Sequence, residues 1–251
     1  MQSRAGLVRL AAACGLGLAA VTAPGVTQAA SASAFVRDFS YQLIDLDPAD
    51  GIIPSLIFTS DIINANAFAN VNNLRGPPWD DELALTTYGR GTIEKVPGSA
   101  SIEAAPGAAK ADAIAGRGAF SADSASGYQF TLTPNTHVVF SATARIQVAH
   151  DHLNHPPDQS SAFAGLLGEF VTSAGQRTDF DSHLYSESPG INTIPVAVHA
   201  FTGKFAGTGN VRAQASAFAL GVSPIPEPAT WAMMVAGLAV AGVRILRRRP
   251  G

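Results

Sequence analysis

Residues 138–148 alternate with a period of two. Val138, Phe140, Ala142, Ala144, Ile146 and Val148 fall on one side, and Ser141, Thr143, Arg145 and Gln147 on the other, with Val139 the exception. Successive side chains of a strand point to opposite faces, so this pattern requires a β-strand with one buried face and one wet face. Such a strand needs neighbours beside it and a second layer over its apolar face. The same alternation recurs at residues 128–132, and Thr133, Pro134, Asn135 and Thr136 between the two runs read as a turn, which predicts a hairpin.

A second strand pair is predicted later. Residues 194–201 are β-rich, Gly207-Thr208-Gly209-Asn210 is a turn or bulge signal, and Val211, Ala213, Ala215, Ala217 and Ala219 then share a face opposite Arg212, Gln214 and Ser216. Alanine is a poor strand former, so the period and not the propensity supports this strand. Residues 39–44 and 52–58 read as two more strands, and residues 161–172 as another. The Ala-, Gly- and Pro-rich residues 98–118 read as a long loop or a poorly packed edge, and residues 80–88 as a short helical turn with an Asp cap. The expected body is all-β, an antiparallel β-sandwich or jelly-roll-like fold.

Composition narrows the classes further. Of 251 residues, 14% are charged and 47% hydrophobic, against roughly 25% charged in an average globular chain. That combination excludes a coiled coil and wholesale disorder. Residues 35–224 hold ten Lys or Arg against eighteen Asp or Glu, a net −8, so the body is a poor partner for nucleic acid. The single cysteine, Cys14, lies outside the body, which therefore has neither disulfides nor thiolate metal sites.

The two ends read as addresses. Arg4 and Arg9 precede an apolar run at residues 10–21, and small residues then offer signal-peptidase cuts after Ala29, Ala32 or Ala34. At the other end, Pro226-Glu227-Pro228 is followed by fifteen uncharged residues, 229–243, and then by Arg244, Arg247, Arg248 and Arg249. As a helix those fifteen residues span about 22 Å, short of the ~30 Å hydrocarbon core, although Arg244 can snorkel. Trp231 suits the outer interface and the arginine tail the cytoplasmic side, so the body faces outward. The two prolines keep the approach to this helix extended.

This terminus resembles the PEP-CTERM sorting signal, in which a Pro-Glu-Pro tripeptide, a short transmembrane run and a basic cluster close the chain; Pro226 to Met234 is similar to its "PEP…WAMM" version. Residues 41–54 also resemble a stretch found near the start of other proteins carrying that signal. The resemblance implies recognition by exosortase, a membrane-embedded transpeptidase-like enzyme of Gram-negative bacteria, and association with exopolysaccharide and biofilm. It names a sorting route and no activity for the body. The expected organisation is a secretory signal peptide at 1–34, an extracytoplasmic body at 35–223 and the sorting segment at 224–251. The chain would be anchored transiently in the inner membrane with its body in the periplasm, then reach the outer surface or the extracellular matrix.

Two clusters in the body have metal-ligand chemistry. Asp45, Asp47 and Asp50 before Gly51 offer carboxylates to calcium, but the spacing departs from an EF-hand: the third Asp is one residue late and Leu56 stands where the bidentate Glu belongs. The reading that fits them better is an acidic turn whose carboxylates cap backbone N–H groups. His150, His152 and His155 offer three imidazoles to zinc or copper, yet Pro156 and Pro157 follow at once and the segment also reads as a solvated loop. No nucleophile elbow or phosphate loop occurs. Carboxylate pairs such as Asp179/Asp181 and Asp80/Asp81/Glu82 serve glycoside hydrolysis only across a cleft.

The expected function is therefore a non-catalytic secreted or surface protein, without a required cofactor. Its expected partners are the signal peptidase and secretion machinery, exosortase and extracellular polysaccharide. The rival is a carbohydrate-binding or carbohydrate-active module, which would present exposed aromatic side chains in a row on one sheet face. In the sequence the four tyrosines are dispersed and only Trp79 of the two tryptophans lies in the body, which counts against that rival.

Overall fold

The computed structural model describes residues 29–71, 79–96, 98–150 and 159–221. They form twelve strands: β1 (Ala30–Asp45), β2 (Leu56–Val71), β3 (Trp79–Leu85), β4 (Gly89–Lys95), β5 (Gly98–Ala105), β6 (Ala108–Ala115), β7 (Gly118–Leu132), β8 (Thr136–Ala149), β9 (Gln159–Thr172), β10 (Arg177–Ser186), β11 (Gly190–Phe201) and β12 (Gly207–Gly221). Two six-stranded sheets result. The first has the order β11-β8-β1-β6-β5-β4 and the second β10-β9-β12-β7-β2-β3. Every pairing described is antiparallel. The all-β, two-layer expectation therefore holds.

Three local expectations need correction. Residues 98–118 are not a loop: they form the β5–β6 hairpin and enter β7. Their small residues alternate too, with Ala100, Ile102 and Ala104 buried on β5 and Ala109, Ala111, Ala113 and Ala115 on β6. Residues 80–88 are not a helical turn, because Asp80 to Leu85 pair with β2. Nor do residues 133–136 close a hairpin. β7 lies in the second sheet and β8 in the first, so the segment is an arch that carries the chain from one layer to the other. The two apolar faces then meet across the core, with the Phe130 and Phe140 rings 5.1 Å apart, instead of lying side by side. β1 and β2, and likewise β11 and β12, are joined by arches of the same kind.

The three arches are tied together at one end of the sandwich. Asn135 accepts the N–H of Leu46 (2.8 Å) through its carbonyl and donates its own N–H to Gly203 O (2.7 Å). The hydroxyl of buried Thr202 accepts the N–H of Thr136 (2.9 Å) and donates to Thr133 O (2.7 Å). Asn135 holds a positive φ of 48°, a conformation Asn tolerates better than most residues.

More than half of the buried apolar side chains are alanine. They line β1, β2, β5, β6, β9 and β12 over one part of the interface, where small inner faces let the layers approach closely. Phe39, Phe130, Phe140 and Phe170 fill the part next to the arches. The two inward serines of β7, Ser124 and Ser126, donate across the gap to the carbonyls of Glu103 and Ala105 on β5, which satisfies their hydroxyls in an otherwise apolar layer.

Irregularities in β1 and β2 change which face is buried. In β1 the register shifts between Arg37 and Ser40, with Asp38 at φ 60°. Before the shift the inward residues are Ala30, Ala32, Ala34 and Val36; after it Tyr41 and Leu43 lie opposite buried Phe140 and Val138. A bulge inserts one residue, and with a side-chain period of two one residue reverses the faces. β2 does the same between Phe58 and Ser60.

Candidate functional site

The Asp loop is organised by its own backbone. Asp45 Oδ1 accepts the N–H of Asp47 (3.0 Å), Asp47 Oδ1 that of Ala49 (3.3 Å) and Asp50 Oδ1 that of Ile52 (2.6 Å). The second oxygen of Asp50 accepts from the Asn135 side chain at 2.6 Å, which joins the first arch to the second. These are the capping bonds expected of an acidic turn. Among the described residues no group of three or more His, Cys, Asp or Glu side chains gathers as a metal site. His150 lies at the end of β8 with Nδ1 2.8 Å from Ser160 Oγ; His152 and His155 lie outside the described residues.

The carboxylate pairs are exposed and engaged. Asp179 meets Arg177 at 3.2 Å, and Asp181 meets His183 Nδ1 at 2.8 Å. Asp80 accepts from Asn70 at 2.5 Å, and Asp81 lies 2.7 Å from Lys95. Hydrogen bonding to Asp179, then the charges of Asp179 and Glu169, push the Arg177 guanidinium upward from its ordinary value.

Two features were not visible in the sequence. Beside the arches, Tyr41, Phe58, Tyr128 and Phe39 form a continuous ring cluster, with centroids 5.7, 4.5 and 5.8 Å apart in that order. The β2 bulge turns Asp61 toward this cluster opposite Tyr128. Tyr88 lies beside it with an enclosed hydroxyl that makes no hydrogen bond of normal geometry. Burial, and then the charge of Asp61, push the Tyr88 phenol up to about 12. On the outer face of the first sheet, His137 Nε2 and His199 Nδ1 are 3.0 Å apart, and burial and then His199 push His137 downward.

The outer face of the second sheet carries four aromatic residues, two exposed and two half-buried. The register places Tyr185 (β10) opposite Phe163 (β9), Phe163 opposite Ser216 (β12), and Ser216 opposite Asp123 (β7). In the next row Ser161, Phe218, Ser121 and Phe68 lie opposite one another across β9, β12, β7 and β2. Tyr185 is 53% exposed and Phe68 39%. A cavity of about 290 Å³ opens between Tyr185, Phe163 and Phe218, with Ser121, Asp123, Ser161 and Ser216 among its lining residues. Ser216 donates to Asp123, and the Tyr185 hydroxyl donates to Glu187. That bond, followed by burial, pushes the Tyr185 phenol upward. Phe163 packs 5.0 Å from His183. The signal was present in the sequence: Phe68, Phe163 and Phe218 stand at the polar positions of alternating strands, flanked on each side by inward alanines.

The sorting residues Pro226, Glu227 and Pro228, the apolar run at 229–243 and the arginine tail lie outside the described residues. So do Arg4, Arg9 and the apolar run that follows them. Among the described residues no helix is long and apolar enough to cross a membrane. Comparison with protein families matches residues 224–249 to the PEP-CTERM protein-sorting motif. The chain carries a PEP-CTERM sorting signal. That motif implies exosortase-mediated sorting toward the cell surface. No curated protein and no solved structure matches the chain.

Proposed function

We propose that this is an exported, non-catalytic surface protein whose sorting segment is processed by exosortase and whose body then associates with the exopolysaccharide matrix. The observation that carries the proposal is the PEP-CTERM motif at 224–249, which follows closely in sequence on the last strand of the β-sandwich. Support for a non-catalytic body comes from its carboxylate pairs, which sit on exposed strands and are engaged by Arg177, His183, Asn70 and Lys95. Fractionation of cells with and without exosortase, with the mature C-terminus read by mass spectrometry, tests the sorting. A protein that reaches the matrix with an intact arginine tail in both strains would overturn it.

Export is proposed to begin with removal of a signal peptide. What favours the cut after Ala29 is that β1 starts at Ala30, within the residues the sequence reading gave to the leader. Cuts after Ala32 or Ala34 would delete buried residues of a strand paired on both sides. A second reading, a carbohydrate-binding body, is favoured by the aromatic outer face of the second sheet.

A further inference from the structure

We propose that the hollow bounded by Tyr185, Phe163 and Phe218 on the outer face of the second sheet is a binding subsite for a neutral pyranose glycan. The proposal rests on the reading of the chain as a matrix-facing surface protein and assigns a ligand class to one face of it.

Isolated exposed rings are ordinary on protein surfaces. Here three conditions coincide. Rings come together from neighbouring strands, with Tyr185 directly opposite Phe163, and Phe218 one strand over and one rung along. They border a hollow of about 290 Å³, at the lower end of the roughly 300–1,000 Å³ of small-molecule sites and wide enough for a sugar ring. Hydroxyls and a carboxylate alternate with the rings: Ser161, Ser216, Ser121 and Asp123 share the two rows. A pyranose has the matching surface, with C–H groups on its faces and hydroxyls around its rim. C–H groups favour the electron-rich ring face, and hydroxyls need polar partners once they lose water. Phe68 extends the row two strands beyond Phe218, roughly 9–10 Å at ordinary strand spacing, so a chain of sugars laid across the strands meets a second ring.

Charge selects among glycans. The acidic groups at the hollow are Asp123, and Glu187 beside Tyr185. Arg177 is engaged by Glu169 and Asp179, and Arg212 stands two rungs from Ser216 along β12. Among the described residues no Lys or Arg lines the hollow, so an anionic sugar would meet the like charge of Asp123 at close range, which is unfavourable. A protein partner fits less well, because an interface core presents contiguous apolar area, and serines interrupt the rings here. The ring cluster at Tyr41 has a different character: its rings pack on one another at 4.5–5.8 Å, so their faces are already occupied.

The test is affinity electrophoresis of the full exported protein in gels containing either the neutral or the acidic polysaccharide fraction of the producing cells' matrix. The neutral fraction should retard the protein. Tyr185→Ala and Phe218→Ala should each weaken retardation roughly tenfold, as expected for loss of an aromatic anchor. Tyr185→Phe, which keeps the ring, should restore most of it, and Tyr41→Ala should leave it unchanged. Equal melting temperatures of the variants would show that the fold is intact. Retardation by the acidic fraction alone, by neither fraction, or unaltered in both ring-deletion variants would overturn the subsite. So would an equal loss in Tyr41→Ala, and so would a complex with a protein that Tyr185→Ala abolishes while glycan binding is absent. Localisation to the surface decides the parent reading separately: surface protein that binds neither fraction refutes the subsite alone, whereas protein retained in the cytoplasm refutes the parent reading.

Discussion

Thr202 shows how much of the arch end depends on single hydroxyls. Its side chain is buried, accepts the Thr136 N–H and donates to Thr133 O. Thr202→Val keeps the shape but leaves the Thr136 N–H enclosed without an acceptor, a loss of about 1–3 kcal/mol. Urea unfolding should show a lower midpoint with an unchanged slope. Tyr88 gives a pH-dependent effect. Its phenol is raised to about 12 in the fold, against 10.0 for a free tyrosine. In the unfolded chain it therefore ionises first, so its stabilising contribution is complete below pH 10 and is lost as pH rises from 10 toward 12. Tyr128 and Tyr185 are also raised and add to the same decline. Melting temperatures measured from pH 9 to 12 should fall, and Tyr88→Phe should fall less steeply than the parent. An equal slope in both would show that Tyr88 does not contribute.

At the scale of the strands, the sequence made faces legible and neighbours illegible. The period of two in residues 138–148 identified β8, and the alanine period in residues 211–219 identified β12. The same period runs through β5 and β6, but Ala, Gly and Pro at high density are also what loops are made of, so composition hides the period there. Pairing was harder, because alternation states which side of a strand is buried and says nothing about which strand lies beside it. A three-residue turn such as Thr133-Pro134-Asn135 serves a hairpin and an arch equally well, and the long-range bonds from Asn135 to Leu46 and Gly203 mark it as an arch. The metal candidates were ambiguous for a related reason: carboxylates clustered on a turn serve backbone N–H groups and ions alike, and only the hydrogen bonds of Asp45, Asp47 and Asp50 show which they serve in the fold. β1 carries its own prediction. Since Ala30, Ala32 and Ala34 are buried and pair with β6 on one side and β8 on the other, the exported chain should begin at Ala30. Intact-mass measurement checks this directly. A chain made to begin at residue 35 should unfold at a markedly lower urea concentration, having lost five residues from the middle of its first sheet.

In the whole molecule, the two proposed addresses lie, in sequence, outside the twelve strands. Glu227 lies beyond β12 in sequence, so Glu227→Ala should change the stability of the body by no more than an ordinary surface substitution, under about 0.5 kcal/mol, and leave its melting temperature nearly unchanged. The same variant should accumulate in the inner membrane with Arg247, Arg248 and Arg249 still attached, detected by the intact mass of the membrane fraction. Release at the normal rate would show that the tripeptide is not what exosortase reads. The position of β12 has a mechanical meaning as well. This last strand is an interior strand, bonded to β7 along Gly207 to Gly221 and to β9 along Gly207 to Leu220. A pull directed along this strand from its C-terminal end would load both ladders in shear, so many rungs would share the force at once. An edge strand in the same place would peel away one hydrogen bond at a time. The fold would thus be gripped by a strand bonded on both sides along nearly its whole length.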